Sequence, residues 1–184
     1  NSGGPHCLKY GVTANHVLGL TMVLPDGRLL ITGGKALDAP GYDLTGIIVG
    51  SEGTFGLVTE IVCRVTPMPE AVTTMLAVFD SLDGASQAVS DIIAAGIIPA
   101  TLEMMDKPMI QAVEQALNAG YPLDAEAVLI IELDGLATSM ARQVEQVKAA
   151  CAGNKVRSFQ VAENEEQRTL LWKGRKGAFG AVVN

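Results

Sequence analysis

The segment at residues 50–60, GSEGTFGLVTE, constrains the fold of this chain more than any other feature. Three glycines at three-residue spacing, Gly50, Gly53 and Gly56, lie between two apolar runs. Because glycine has no Cβ, such a segment forms a tight loop whose backbone N–H groups can approach a ligand closely. Exposed amides of this kind suit a diphosphate or a purine edge. A plain connection between two strands, with glycine needed only for positive φ, is the structural alternative.

A second glycine-containing loop opens the chain at residues 1–11, NSGGPHCLKYG. Asn and Ser side chains can hydrogen-bond a ligand edge, and a Gly-Gly pair permits close backbone approach. A surface turn explains the same composition, and Tyr10 fits a packing role equally well. Two such loops, about fifty residues apart, indicate a bound nucleotide cofactor.

Apolar spacing predicts two regions of different character. In the first, strands at 17–24 and 28–32 flank a Pro-Asp-Gly turn and form a hairpin, followed by a short helical segment at 43–49 and a strand at 57–66. The break at 67–69, Pro-Met-Pro, is the predicted domain boundary. Beyond it, strands at 73–79, 100–104, 127–133 and 156–161 alternate with helices at 82–95, 107–118, 138–152 and 163–179. This alternation predicts an α/β layer in which helices cover a sheet.

Composition excludes several classes of protein. The net charge of −7 argues against nucleic acid and against an anionic membrane surface. No apolar run approaches the roughly 20 residues that span a bilayer. Three separated cysteines, Cys7, Cys63 and Cys151, predict a reduced, cytoplasmic setting. Two histidines, His6 and His16, form no metal-binding motif, so no complete metal site is expected in the chain.

Two further patterns are predicted to carry no function. Gly33-Gly34-Lys35 imitates a P-loop, but that motif needs a glycine at position 29 and Ser or Thr after the lysine. The chain has Leu29 and Ala36 there. The acidic run at 163–166 predicts a helix start, because carboxylates stabilise a helix N-terminus, and not a catalytic carboxylate pair.

Three motifs together resemble one family. The loops at 1–11 and 50–60 and the run LEMMD at 102–106 are similar to FAD-linked 2-hydroxyacid oxidoreductases of the vanillyl-alcohol-oxidase type. This family includes the flavin subunit of glycolate oxidase and D-lactate dehydrogenase. The resemblance covers essentially the whole chain and implies an α+β fold. Residues 1–70 would be the second half of an FAD-binding domain. Residues 71–184 would be a substrate-side α/β cap domain, incomplete at its C-terminus, with a mainly antiparallel sheet covered by helices.

The resemblance also implies FAD as the cofactor and a small 2-hydroxy acid, glycolate or D-lactate, as the substrate. Hydride would pass to the flavin and leave the 2-oxo acid. The flavin contacts that it implies are Asn1, Ser2, Gly3, Gly4, Tyr10, Gly11, Gly50, Ser51, Glu52, Gly53, Thr54, Phe55, Gly56, Leu57 and Val58. The family's earlier diphosphate loop and later histidine-rich motif, which carries metal ligands and the base, lie outside these 184 residues. No catalytic or metal-binding residue is therefore assigned, and the isolated chain is expected to be an inactive piece of a longer protein.

Arg175 is the candidate substrate anchor. Arg168, Trp172, Arg175 and Phe179 follow one another at spacings of 4, 3 and 4, which places them on one helix face. A guanidinium binds a carboxylate bidentately, and the resemblance puts the substrate-binding arginine here. A basic helix end that complements the helix dipole is the alternative. Phe179 stands where some relatives carry a hydroxyl, which implies a small or apolar substrate tail.

The electron acceptor and the location of the protein are expected as follows from the resemblance. Electrons would leave to a quinone, an iron–sulfur subunit or another acceptor, and a partner subunit would hold the cytoplasmic protein at the inner membrane. A non-catalytic flavin-fold or partner-binding α/β module is one alternative. An enzyme of the same fold acting on ether-lipid precursors or aromatic alcohols is another.

Overall fold

Two units make up the structure, a computed structural model that describes residues 4–36 and 41–183. They are Asn1–Met68 and Pro69–Asn184, and their boundary falls inside the Pro-Met-Pro break at 67–69. Each unit is built around its own antiparallel sheet.

The first unit holds a three-stranded sheet in the order β2-β1-β3. Its strands are β1 (Val17–Val23), β2 (Leu29–Gly33) and β3 (Leu57–Cys63), and its helices are α1 (Cys7–Tyr10), a 3₁₀ turn (Thr13–Asn15) and α2 (Leu44–Ile48). The predicted hairpin is confirmed, because β1 and β2 pair antiparallel around a turn in which the amide of Gly27 donates to Leu24 O. The two short helices before β1 were not predicted.

The small core of the first unit lies on one face of this sheet. Leu20 and Met22 of β1 pack there against Ile48 of α2. Side chains on the opposite face, Leu29 and Ile31 among them, are 69% and 74% exposed. This sheet is therefore covered on one face only within the described residues.

The second unit holds a four-stranded antiparallel sheet in the order β5-β6-β4-β7. Its elements in chain order are β4 (Ala71–Phe79), α3 (Leu82–Ala94), β5 (Thr101–Asp106), α4 (Lys107–Leu117), β6 (Ala127–Gly135), α5 (Ala137–Gly153), β7 (Val156–Val161) and α6 (Glu165–Val183). All eight predicted elements are present. The predicted α+β fold, with an antiparallel sheet covered by helices, is confirmed.

Helices cover both faces of this second sheet. On one face Met75, Phe79 and Leu129 pack into a core with residues of α3 and α5. On the other face Val78 and Ile130 pack into a core with residues of α4 and α6. This two-sided burial explains why β6 reads as an almost continuous apolar run, with no alternation of polar and apolar residues.

Local signals set the helix ends. Asp106 ends β5 and begins α4, because its side chain accepts from the amide of Met109, as expected of a helix-capping carboxylate. Asn164 Oδ1 accepts from the amide of Gln167 at 2.9 Å, so α6 begins at Glu165, two residues later than predicted. The acidic run at 163–166 is confirmed as a helix start.

Candidate functional site

The glycines of the 50–60 loop all have positive φ. Gly50, Gly53 and Gly56 have φ values of 89°, 79° and 153°, a region that L side chains rarely adopt. A Cβ on Gly56 would also lie 2.4 Å from Val23 O. Backbone conformation and packing therefore account for these glycines without a ligand. Whether the loop can bind a cofactor depends instead on backbone N–H groups that have no acceptor within the protein.

The loop satisfies only part of its own backbone. The amides of Ser51, Thr54 and Gly56 donate to carbonyls within or next to the loop. Within the described part of the chain, the amides of Glu52, Gly53 and Phe55 have no protein acceptor, and all three residues are exposed. Free main-chain N–H groups in an exposed loop are donors that an anionic or heteroaromatic ligand can use. This loop therefore fits the cofactor that the sequence predicts.

The last two predicted contacts of that loop belong to a strand. Leu57 and Val58 are the first residues of β3, where they face Val23 and Met22 of β1. Their backbone is part of the sheet, and the Leu57 side chain is 69% exposed. β3 is an edge strand of the described sheet, so contact of these two residues with a cofactor stays a prediction.

Internal hydrogen bonds hold the N-terminal loop where it is described, while Asn1, Ser2 and Gly3 lie outside the described residues. Gly4 is exposed, and its amide donates to Cys7 Sγ at 2.8 Å. Tyr10 is half-buried, and its carbonyl accepts from His16 Nε2 at 2.8 Å. Gly11 has a φ of 80°. His16 thus stabilises the loop, in agreement with its interpretation from the sequence as a loop or packing histidine.

The structure does not bring the two loops into one cluster. In the pairing of β1 with β3, Val17 lies opposite Cys63 and Val23 lies opposite Leu57. The N-terminal loop, which leads into β1, is therefore at one end of the sheet, and the 50–60 loop, which leads into β3, is at the other. Seven strand residues span roughly 20 Å, so only an extended ligand could contact both loops.

A cleft of about 480 Å³ in the first unit was not predicted from the sequence. It lies beside α2, and Asp43, Thr45 and Thr32 line part of it. Thr32 and Thr45 share a buried hydrogen bond between their hydroxyls at 2.9 Å. Asp43 accepts from the amide of Gly46 and begins α2. The only sequence signal was the helix-capping Asp43.

Arg175, the predicted substrate anchor, lies on α6 in the second unit. Its Nε donates to Glu103 Oε2 of β5 at 2.8 Å. The Arg175 side chain is 36% exposed and that of Glu103 is 23% exposed. The guanidinium is thus half-buried, fixed at one edge, and accessible to solvent.

The helix face that carries Arg175 contacts one face of the sheet. Arg168 and Trp172 both donate to Glu132 Oε2, at 3.2 and 2.9 Å. Glu132 pairs in register with Thr101, two residues before Glu103, so both carboxylates lie on the same sheet face. The predicted shared face is confirmed for the first three residues of the 4, 3, 4 pattern. Phe179, the fourth, is 82% exposed.

Glu132 is a buried carboxylate that holds the helix of Arg175, and sequence analysis missed it. Its side chain is 4% exposed, and Thr74 Oγ1 donates to it at 2.6 Å, in addition to Trp172 and Arg168. Burial raises the pKa of this carboxyl, but the hydrogen bonds from Thr74 and Trp172 and the charge of Arg168 outweigh burial and hold the pKa below its usual value. The signal was a carboxylate placed between the apolar residues Ile131 and Leu133 of β6, because a glutamate is rarely buried unless it is paired.

Tyr121 fixes the middle of α6. Its hydroxyl donates to Leu171 O, and burial raises the pKa of Tyr121 to about 12. A Cβ on Gly174 would lie 2.2 Å from the Tyr121 ring, so α6 approaches this ring closely because residue 174 has no side chain. Glu132 and Tyr121 together set the position of the helix turn that carries Arg175.

Among the residues that the structure describes, no group of three or more His, Cys, Asp or Glu side chains could hold a metal ion. None of the helices described is long and apolar enough to cross a membrane.

Comparison with solved structures defines the class of fold. Over 98% of its length the chain superimposes on alkyldihydroxyacetonephosphate synthase, with a TM-score of 0.73 at 22% identity, and covers 36% of that chain. Over 89% it superimposes on p-cresol methylhydroxylase, with a TM-score of 0.65 at 11% identity, and covers 40% of that chain. The predicted vanillyl-alcohol-oxidase-type fold is thereby confirmed.

The chain belongs to the FAD linked oxidases, because residues 68–184 match the C-terminal domain of that family. It is 47% identical over its whole length to the glycolate oxidase subunit GlcD of Bacillus subtilis, and covers 39% of that protein. It is 44% identical over 99% of its length to the GlcD subunit of Escherichia coli K12, and covers 36% of it. A probable mitochondrial D-lactate dehydrogenase of Danio rerio is 34% identical over the whole chain, which covers 37% of that protein.

These comparisons confirm the predicted family, and membership in it indicates FAD as the cofactor. The chain spans less than half the length of the relatives it matches.

Proposed function

We propose that this chain is part of an FAD-dependent oxidoreductase that converts a small 2-hydroxy acid, glycolate or D-lactate, into its 2-oxo acid. Family membership and relatives named as glycolate oxidase subunits and a probable D-lactate dehydrogenase support the proposal. The structural observation that carries it is Arg175, a half-buried guanidinium whose single hydrogen-bond partner in the described part of the chain is Glu103, through Nε. Such a group is suited to a small carboxylate.

In this proposal each of the two predicted domains has its own role. Residues 1–70 contribute to the cofactor site, with the free amides of Glu52, Gly53 and Phe55 as donors to FAD, and residues 71–184 contribute the substrate anchor. When bound, FAD supplies the redox chemistry by accepting a hydride from C2 of the substrate. Arg175 binds the substrate carboxylate through its Nη groups and so orients C2. The base that removes the hydroxyl proton is not among the residues assigned here, so we expect the isolated chain to be inactive.

The test of this proposal is Arg175→Met in the complete FAD-containing protein. Loss of a charged hydrogen-bond pair to the substrate costs about 1.5–3 kcal/mol, so we expect kcat/KM for glycolate or D-lactate to fall about 10- to 150-fold. Reduction of the flavin by substrate, followed by its absorbance, is the measurement. Lys173→Met is the matched control, because Lys173 is an exposed cation on the same helix.

Unchanged kcat/KM in Arg175→Met would reject Arg175 as the anchor. A complete protein that stays colourless after addition of FAD would favour the non-catalytic module. Flavin that is reduced by an aromatic alcohol or an ether-lipid precursor, and not by a 2-hydroxy acid, would favour the remaining alternative.

We also propose that the complete protein passes its electrons to a partner subunit, since the two bacterial relatives are named as subunits. An iron–sulfur protein is the partner class that we expect, in the cytoplasm or at the inner membrane. Co-purification of the tagged complete protein, followed by iron analysis and membrane fractionation, tests both expectations.

A further inference from the structure

The contact between Arg175 and Glu103 uses one edge of the guanidinium. Glu103 Oε2 accepts from Arg175 Nε at 2.8 Å. Within the described part of the chain, the two Nη groups of Arg175 have no protein acceptor. An arginine has five N–H donors in a planar fork, and a carboxylate can bind across Nη1 and Nη2 as two parallel hydrogen bonds. The edge away from Nε is therefore available for a second carboxylate.

Glu103 is itself held by the sheet. It lies on β5, where it pairs in register with Ile130 of β6, and its side chain is only 23% exposed. Its neighbour on the same face, Met105, is buried in the core with α4 and α6. Glu103 is partly buried and has fewer rotatable side-chain bonds than arginine, so it can restrict the rotation of the guanidinium.

Arg168 provides an internal comparison, because it lies on the same helix face as Arg175. Its Nε donates to Glu132 at 3.2 Å, and its Nη1 donates to both carboxylate oxygens of Glu165, at 3.2 and 3.4 Å. Carboxylates thus accept hydrogen bonds from both Nε and Nη1 of Arg168. Arg175 is held on one side and free on the other, which is the difference between a structural arginine and one prepared for a ligand.

We propose that Glu103 is a positioning residue for substrate recognition: it holds Arg175 through Nε so that the Nη1–Nη2 edge is oriented to receive the substrate carboxylate. This inference rests on the proposed function, because it assumes that Arg175 binds a 2-hydroxy acid. It assigns a role to the LEMMD run at 102–106, which the fold alone leaves as an ordinary edge strand.

Two variants of the complete FAD-containing protein separate geometry from charge. Glu103→Gln keeps an oxygen that can accept from Arg175 Nε, and Glu103→Met removes it. We expect Glu103→Met to raise KM for glycolate or D-lactate about tenfold or more, since misplacement of a binding group by about 1 Å is costly, while kcat changes by less than about threefold. Glu103→Gln should keep KM within about threefold of the wild type, because it restores the acceptor.

Controls show whether Glu103 acts through Arg175. Glu165→Gln removes a carboxylate from Arg168 on the same helix and should leave KM unchanged. In an Arg175→Met background, Glu103→Met should have no further effect on KM, since the two residues then act as one unit. The affinity for the 2-oxo acid product, measured from its perturbation of the flavin spectrum, should fall in parallel with the rise in KM.

The outcomes distinguish failure of the role of Glu103 from failure of the proposed function. If wild-type flavin is reduced but KM is unchanged in Glu103→Met, the role of Glu103 is overturned and the proposed function stands. The role is also overturned if Glu103→Gln and Glu103→Met raise KM equally, or if their effects add to that of Arg175→Met. If no 2-hydroxy acid reduces the wild-type flavin, the proposed function fails and this inference fails with it.

Discussion

Glu132 is a charged residue in the most buried strand of the second unit, and its environment explains why it is tolerated there. Thr74, Trp172 and Arg168 all donate to one of its oxygens, Oε2. A buried carboxylate is stable when it is paired and hydrogen-bonded, and costly when it is not. At the scale of single residues, this carboxylate links β4 and β6 to α6, the helix that carries Arg175.

The lowered pKa of Glu132 predicts acid sensitivity. Because its pKa is lower in the folded protein than in the unfolded chain, whose value is near 4.5, its contribution to stability is present above pH 4.5 and is lost as the pH falls below it. We expect Glu132→Gln to lower the free energy of unfolding by about 2 kcal/mol at pH 7 and by less at pH 3.5. Urea unfolding at both pH values, with the exposed Glu126→Gln as control, measures this. An equal loss at both pH values would contradict it.

Thr101 gives a prediction of opposite sign. Its hydroxyl oxygen is buried and has no hydrogen-bond partner in the described part of the chain, whereas that of Thr74 donates to Glu132. An unpaired buried hydroxyl costs about 1–3 kcal/mol. We therefore expect Thr101→Val to raise the free energy of unfolding by about 1 kcal/mol and Thr74→Val to lower it by a similar amount. Destabilisation by both variants in urea would show that Thr101 has a partner.

Among elements, α6 combines packing with the predicted anchor. Gly174 lies against the Tyr121 ring, and the hydroxyl of that ring is held by Leu171 O. Close approach at Gly174 holds the helix against the segment between α4 and β6, and the hydrogen bonds to Glu132 hold it against β6. The sequence predicted this helix and the face that Arg168, Trp172 and Arg175 share, but not the tyrosine that the helix approaches.

Gly174→Ala tests the close approach. An added methyl would lie 2.2 Å from the ring, and overpacking of a filled core costs about 1–3 kcal/mol, against a gain of about 1 kcal/mol in helix propensity. We expect a net loss of about 1 kcal/mol in the free energy of unfolding, measured by urea denaturation. Gly180→Ala is the matched control, since its Cβ would meet no described atom within 4 Å and should stabilise the helix. Stabilisation by both variants would disprove the close contact.

Element types were predictable because their signals are local. Ser81 and Asp106 cap α3 and α4 as their residue types indicate, and the turn before Arg28 defines the hairpin. Partners across the sheet were not predictable. In β6 the side chains of Val128 and Leu129 are equally buried although they point to opposite faces, so apolar alternation cannot show which face Glu132 shares with α6.

For the same reason, the candidate site was predicted only in part. The positions of the 50–60 loop and of Arg175 follow from short motifs. The carboxylate that holds Arg175 depends on the register of β5 with β6, and β6 is buried on both faces, so its continuous apolar run does not indicate that register. The placement of the two glycine-containing loops at opposite ends of β1 depends in the same way on the register of β1 with β3.

At the scale of the whole molecule, the two units differ in burial. Central strands β4 and β6 are buried on both faces, whereas six of the seven residues of β3 are exposed. Local opening is easiest where few apolar contacts are lost. We therefore expect backbone amides of β4 and β6 to exchange hydrogen at least about 100-fold more slowly than those of β3, measured by mass spectrometry on this 184-residue chain. Equal protection would contradict the difference in burial.

The strand order β5-β6-β4-β7 also has a consequence for folding during synthesis. β4 occupies an inner position of the sheet, yet both of its neighbours, β6 and β7, are translated later. Protein synthesis proceeds at about 5–20 residues per second. The apolar strand β4, which ends at Phe79, is therefore synthesised several seconds before the two strands that cover its edges. A newly made chain therefore passes through a stage in which this segment is open to chaperones and to aggregation.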